Sequence, residues 1–216
     1  ARGIVLDLAQ GHEARIAVKS KSMVTEEIGL NDGLIDAGIV PVETDLGEWI
    51  LQLADEPPSH ILVPAIHRRR HEIRAIFAEA LGREMPEDAE SLTAIARNEL
   101  RDRFLRADLG ISGGNFLVAE TGSILLIENE GNIRLTTSMP RVHIAIVGIE
   151  KVVPTLADLG PLVRVITRSG TGQAISCYQT LVTGPKTSPA DDGPDELHVV
   201  LVDNGRSGIL ADPKQA

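Results

Sequence analysis

The feature that most constrains this chain lies in its first 106 residues, where short β-branched runs alternate with stretches of helical period. Arg15-Ile-Ala-Val18 reads as a strand, and Met23, Val24, Ile28, Leu30, Leu34 and Ile35 after it make a helical stripe. Ile39-Val-Pro-Val42 reads as the next strand. Asp45 then stands as an N-cap with Glu48 three residues on, the capping-box spacing, ahead of a helix face of Trp49, Ile50, Leu53 and Ala54. Ile61-Leu-Val63 is expected as a third strand, followed by a helix over 68–81 with Ile73, Ile76, Phe77 and Leu81 on one side. Such a β-α-β-α-β-α string specifies a parallel sheet whose crossover helices, right-handed, cover its faces.

Polar residues 83–90 read as a connector, and a long helix is expected from Ser91, as cap, to Arg106, with Leu92, Ala96, Leu100 and Phe104 on one face. The pattern then changes. Phe116-Leu-Val-Ala119 and Ile124-Leu-Leu-Ile127, separated by Glu120-Thr-Gly-Ser123, read as a β-hairpin. His143–Val147 is a further strand. Thr155 with Asp158 caps a helix that Gly160 and Pro161 are expected to interrupt, and Ala174–Val182 and His198–Val202 are the last strands. Two prolines in Lys186–Asp195 mark an exposed loop. The expected fold is one α/β domain over 1–216: a mostly parallel open sheet flanked by helices, with an added β-hairpin region.

Composition excludes several functions. Lysine and arginine number 21 against 31 aspartates and glutamates, a formal charge of −10, and there are five aromatic residues. The basic footprint and stacking platform of a nucleic-acid binder are missing. The single cysteine, Cys177, cannot supply a disulfide within the chain, a four-cysteine zinc site or an iron–sulfur cluster. No apolar run approaches the ~18 residues of a membrane span. The six histidines show no paired metal-ligand spacing, so no metal site is expected. A start at Ala1-Arg-Gly-Ile, with no initiator Met and no signal-peptide pattern, reads as a cytoplasmic domain excised from a longer chain.

In open parallel sheets, ligands bind outside the carboxyl ends of the strands. Lys19-Ser20-Lys21-Ser22 sits at such an end; its two ammonium groups and two hydroxyls suit a phosphate or carboxylate, and equally make a solvated turn with Ser22 as an N-cap. His67, ahead of Arg68-Arg-Arg70, stands at another. The stretch Gly110-Ile-Ser112-Gly-Gly-Asn115 has neither the dinucleotide nor the P-loop glycine spacing. Glu120, at a strand end before Thr121 and Gly122, is a candidate nucleophile or general base, or a carboxylate that accepts turn N–H groups. Glu128-Asn129-Glu-Gly-Asn132 reads as a hairpin turn, His143 as a structural histidine and Cys177 as core packing.

Phe104-Leu-Arg-Ala-Asp-Leu-Gly-Ile-Ser-Gly-Gly-Asn-Phe-Leu-Val-Ala-Glu-Thr-Gly-Ser123 is a specific signature, and so are Glu128–Thr137, Pro140–His143, Gly148–Pro154, Lys19–Glu27, Glu43–Glu48 and Asp203-Asn-Gly-Arg-Ser207. Together these segments resemble the lactate utilization (LUD) domain family, in particular the iron–sulfur subunit of bacterial L-lactate oxidation, from about residue 15 to 213. The resemblance implies the fold of sugar-phosphate isomerases, glucosamine-phosphate deaminases and coenzyme A transferases (NagB/RpiA/CoA transferase-like). It also implies a small anionic ligand near Lys19–Ser22, partner subunits of a lactate-oxidising complex, and [4Fe-4S] clusters in a ferredoxin-like segment outside these residues. A stand-alone isomerase or acyl-transfer enzyme acting through Glu120 is the alternative. Ser112, Asn115, Thr121, Gly122 and Asn129 complete the candidate ligand set.

Overall fold

The computed structural model describes residues 1–212 and 214. The chain runs α1 (Arg2–Gly11), β1 (Ile16–Lys19), α2 (Met23–Glu27), α3 (Leu30–Asp36), β2 (Val40–Glu43), α4 (Leu46–Leu53), α5 (Arg70–Leu81), α6 (Ala89–Arg106) and β3 (Leu109–Ser112). It continues with β4 (Phe116–Val118), β5 (Ser123–Glu128), α7 (Asn132–Ser138), β6 (Val142–Gly148), β7 (Val152–Val153), α8 (Leu156–Thr171), β8 (Tyr178–Val182), β9 (Glu196–Val202) and α9 (Arg206–Leu210). Two sheets form, a five-stranded one in the order β2-β1-β3-β6-β9 and a four-stranded one in the order β7-β4-β5-β8. Every neighbouring pair in the larger sheet is parallel. The smaller is built on the antiparallel β4–β5 hairpin. The mostly parallel helix-flanked sheet and the added hairpin are therefore both present.

Alternation along the strands sorts the core. Ala17 faces α1 and α3 with Leu109, Ile111, Ile144, Ile146, Val200 and Val202, and Val5, Ala9, Leu30 and Leu34 close that side. Val18 and Val42 face the opposite way, under Trp49 and Ile50 of α4, Phe77 of α5 and the expected stripe Leu92, Ala96, Leu100 and Phe104 of α6. The hairpin is buried on both faces. Leu117, Ile124 and Leu126 pack on Ala145 and Val147 of β6. Val118 and Leu125 pack with Val153 against Leu159 of α8.

Several expectations are corrected. Ile61-Leu-Val63 is not a strand: Ser59 N–H and Oγ both bond the Pro64 carbonyl, closing a loop that leaves all three apolar side chains exposed. Prolines at 57, 58 and 64 fence that run, and ladder pairing needs N–H groups. The third strand of the sheet is instead β3, inside the glycine-rich stretch. Its Gly110 is required by packing, because a Cβ there would collide with the carbonyl of Thr136 in α7. Gly114 likewise leaves room for Val147 and Ile124, where the two sheets meet.

The stripe over 23–35 is two helices, split at Gly29, which adopts φ 58°. Asn129–Asn132 does not turn a hairpin; it leads into α7, whose Ile133 and Arg134 N–H groups donate to the Glu128 carboxylate at 2.7 and 2.9 Å. Asp88 caps α6 in place of Ser91, whose N–H it accepts at 2.7 Å. The Thr155–Asp158 capping box is present, but α8 continues through Gly160 and Pro161, where the helix is exposed to water. Helix α1 had no counterpart in the sequence reading. Among the described residues, no helix is long and apolar enough to cross a membrane.

Candidate functional site

The strand order fixes where the switch point of the sheet lies. From β1 the chain steps outward to β2 on one side, and through β3, β6 and β9 on the other. The switch point lies between β1 and β3, and ligands of open α/β sheets bind at the carboxyl ends of such a pair. Those ends carry Lys19-Ser20 and Ser112-Gly113. Ser20 N–H donates to the Ile111 carbonyl at 2.9 Å, and a Cβ on Gly113 would stand 2.8 Å from Ser22 Oγ, so the two loops touch.

Lys19 is wholly buried. Its ammonium is 2.8 Å from Glu43 Oε1 and 3.0 Å from Glu26 Oε1, and donates to Thr25 Oγ1 at 3.0 Å, which occupies its three hydrogens. Burial pulls the ammonium toward the neutral form, but Glu43 and Glu26 outweigh it and hold the pKa above the ordinary value. Asn31 Nδ2 also donates to Glu43 Oε1 at 2.8 Å. Glu48 reaches the same cluster from α4. Burial, and then the charge of Glu43, push its carboxyl up to about 9, so it is protonated at neutral pH. In that form it hydrogen-bonds Glu43. Among the described residues, Glu43 Oε2 and Glu48 Oε2 are buried with no other hydrogen-bond partner.

Lys21 is different. Its Nζ lies 3.5 Å from Asp45 Oδ2 and donates to the Leu62 carbonyl at 3.2 Å, and its side chain keeps 23% of its exposure. Asp45 caps α4 as expected, accepting Glu48 N–H at 3.1 Å, but the reciprocal half of the box is absent because the Glu48 carboxyl turns into the buried cluster. The start of α7 and the loop before it reach the same strand ends: Glu130 accepts Leu46 N–H at 3.4 Å, and Asn132 Nδ2 donates to Thr44 Oγ1 at 3.3 Å. Burial, and then Asp45, raise the pKa of Glu130. Burial also raises that of Glu128, against the N–H groups of Ile133, Arg134 and Gly131.

Ser112 and His143 form a buried pair, Oγ to Nε2 at 2.8 Å. Ser112 Oγ donates to the Gly113 carbonyl at 2.9 Å. With the hydroxyl proton on that carbonyl, the serine oxygen is left to accept from Nε2–H. Burial lowers the His143 pKa to about 4.

The remaining candidates lie elsewhere. Glu120, Thr121 and Gly122 make the tip of the β4–β5 hairpin, with Gly122 at φ 69°. Glu120 is exposed and accepts Leu156 N–H at the start of α8, 3.2 Å away, while Thr121 Oγ1 donates to Ser123 Oγ at 2.7 Å. Asn129 is at the other end of β5, roughly 20 Å away at about 3.3 Å per residue. It accepts Cys177 N–H and donates to Gln173, both at 3.0 Å. Asn115 Oδ1 accepts Ile127 N–H at 2.8 Å. His67 bridges Ser59 and Glu56 at 2.7 and 3.3 Å on the loop that carries Leu62. The fold thus joins Lys19–Ser22 with Ser112 and leaves Glu120 on the other sheet. Glu43, Glu48, Glu130 and Asn132 were not singled out as site residues. The available signal was a carboxylate at the end of β2 with a second five residues later.

Three of the signature segments also meet. Arg206 pairs with Glu27 at 2.7 Å and with Glu150 at 2.7 Å, and Asp203 caps α9 through Ser207. Arg206 and Asn204 hold the Glu27 carboxyl at about 2.

The family model of the LUD domain matches residues 1–202. "Uncharacterized electron transport protein YkgF" of Escherichia coli K12 is 53% identical over 96% of this chain and 44% of its own length. "Lactate utilization protein B" of Bacillus pumilus is 51% identical, and that of Bacillus subtilis 48% identical, each over 97% of this chain and 44% of its own length. The chain therefore spans less than half the length of the curated relatives it matches. A crystal structure of a DUF162 family protein from Deinococcus radiodurans covers 94% of this chain and 98% of its own, at 17% identity and a TM-score of 0.37. On the matched family model and these relatives, the chain belongs to the LUD domain family.

Proposed function

We propose that this chain acts in lactate utilization, as the LUD domain of an electron-transferring protein that takes part in oxidising L-lactate to pyruvate in the cytoplasm. The observation that carries this reading is near-half identity, over almost the whole chain, to proteins named for lactate utilization. Oxidation of lactate to pyruvate releases two electrons and two protons, and an acceptor has to take the electrons. A [4Fe-4S] cluster takes four thiolates. The single Cys177 does not fit that requirement, so any clusters belong to residues beyond these 216 or to a partner subunit. The domain's own contribution is then to hold a small carboxylate anion and to dock the partner that carries the electrons.

The β1/β3 switch point supports the binding part. Lys21 is its half-open cation, held in place by Asp45 and the Leu62 carbonyl, whereas Lys19 is enclosed and stiffens the strand end beneath it. L-Lactate or pyruvate should raise the melting temperature of the chain. Ligand at 100 times its Kd adds about 2.7 kcal/mol. Lys21→Met should abolish the shift, and a flat response of the unaltered chain to both acids would remove the ligand assignment. Disrupting the gene should stop growth on L-lactate as sole carbon source; undiminished growth would remove the lactate role. Nothing observed favours a stand-alone enzyme acting through Glu120, whose carboxylate is engaged at the start of α8.

A further inference from the structure

The first helix and the last strand of the larger sheet bring together three side chains from opposite ends of the sequence. His12 follows α1 directly, and its backbone is locked: Glu13 N–H bonds the Gln10 carbonyl and Ala14 N–H the Ala9 carbonyl, both at 3.0 Å, with Glu13 at φ 51°. This double closure is the Schellman arrangement. On β9, side chains alternate between faces. Val200 and Val202 lie on the face that packs with Val5 and Ala9 of α1. Glu196 and His198 continue that same face at the end of the strand where α1 stops and His12 arrives.

The three ligating atoms converge. Glu196 Oε2 is 3.4 Å from His12 Nε2 and 3.1 Å from His198 Nε2, and all three atoms lie within 4.8 Å of one another. Neighbouring ligand atoms about a tetrahedral Zn2+, with bonds of about 2.0–2.1 Å, are roughly 3.3 Å apart. The two imidazoles are not stacked; their centroids are 6.3 Å apart and the rings are tilted by 57°, so each turns an edge nitrogen to the same oxygen. A surface cavity of about 360 Å³, lined by Ile4, Asp7, Leu8, Gly11 and His12, opens beside His12. Two imidazoles and a carboxylate with an open position are the donor set of Zn2+ and similar borderline cations.

We infer that His12, Glu196 and His198 bind one borderline divalent cation, which joins the end of α1 to the edge strand β9. The same contacts without a metal would be two imidazole N–H groups donating to one carboxylate, and titration separates the two. Zn2+ added to the 216-residue chain should bind one to one by calorimetry and raise the unfolding temperature. Co2+ in its place should develop the visible absorption of a tetrahedral or five-coordinate site. His12→Gln, Glu196→Gln and His198→Gln should each weaken binding at least about tenfold, the scale reached by disturbing even the outer contacts of a metal ligand. His71→Gln, on the exposed surface of α5, should leave it unchanged. Absence of one-to-one binding by the unaltered chain overturns the assignment. So does binding that survives all three substitutions, which would place the metal on Cys177 or on other histidines. Circular dichroism of each variant before titration keeps loss of fold apart from loss of the site.

Discussion

The two sheets solve different problems with polar residues. In the five-stranded parallel sheet, the carboxyl edge holds buried charge: Lys19, Glu43 and Glu48 come from different elements and are satisfied by one another and by Glu26, Thr25 and Asn31. At the hairpin tip of the four-stranded sheet, Thr121 reaches Ser123 two residues on and Glu120 caps the next helix from the surface. A parallel sheet sets the ends of sequence-distant strands side by side, so its chemistry is made by tertiary contact. A hairpin sets neighbours side by side, so its chemistry is local and exposed. The first arrangement should be fragile to substitution and to pH, and the second tolerant.

The largest test of that contrast is Gly110→Val, which drives a side chain into the backbone of α7 on β3. We expect no cooperatively folded protein, read by near-ultraviolet circular dichroism. Next is Lys19→Met. It leaves Glu43 as a buried, uncompensated carboxylate, and removing one partner of a buried pair costs about 3–5 kcal/mol, measurable by urea unfolding at pH 7. A loss under 1 kcal/mol would mean that Glu43 takes up a proton without penalty.

His143 gives an acid limb. Its folded pKa of about 4 lies below its ordinary 6.5, so the unfolded chain binds the proton first. The stability is complete above about pH 6.5 and falls as pH drops toward 4, by up to about 3 kcal/mol. His143→Gln should flatten this limb. Glu48 has the opposite sign: its folded value of about 9 lies above the ordinary 4.5, so its contribution is present below pH 4.5 and declines as pH rises toward 9. Glu48→Gln should therefore leave unfolding near pH 5 almost unchanged and raise stability at pH 8 relative to the unaltered chain. The smallest effect belongs to Glu120→Gln, which trades one exposed helix-end acceptor for another and should shift stability by about 0.5 kcal/mol or less. A drop comparable to that of Lys19→Met would erase the distinction between the sheets.

Much of the fold was legible in the chain. Period-2 and period-3.6 patterns identified β1, β2, α5, α6, the hairpin and β6, because each of these elements buries one apolar stripe or a short β-branched run whatever surrounds it. The misplaced third strand shows the limit. Ile61-Leu-Val63 has better strand residues than Leu109-Gly-Ile-Ser112, but β1 has two edges, and β2 and β3 fill both. Gly110 weakens strand propensity and is nonetheless required where α7 crosses. Propensity is local, and the space available to a helix backbone is not.

The site divides along the same line. The signature segments were enough to recognise the family, since that is a property of residue type and order. The sequence also marked Lys19–Ser22 as the carboxyl end of a strand. It did not separate Lys19 from Lys21, two residues apart, because successive strand-end side chains enter different surroundings. One is buried among Glu26, Glu43 and Thr25, and the other stays half-open beside Asp45. Nor did it join His12 to Glu196 and His198, whose meeting depends on α1 packing across the face of β9. Identity and order fix which groups the chain owns; only the packing of distant segments decides which are charged, which are covered and which face one another.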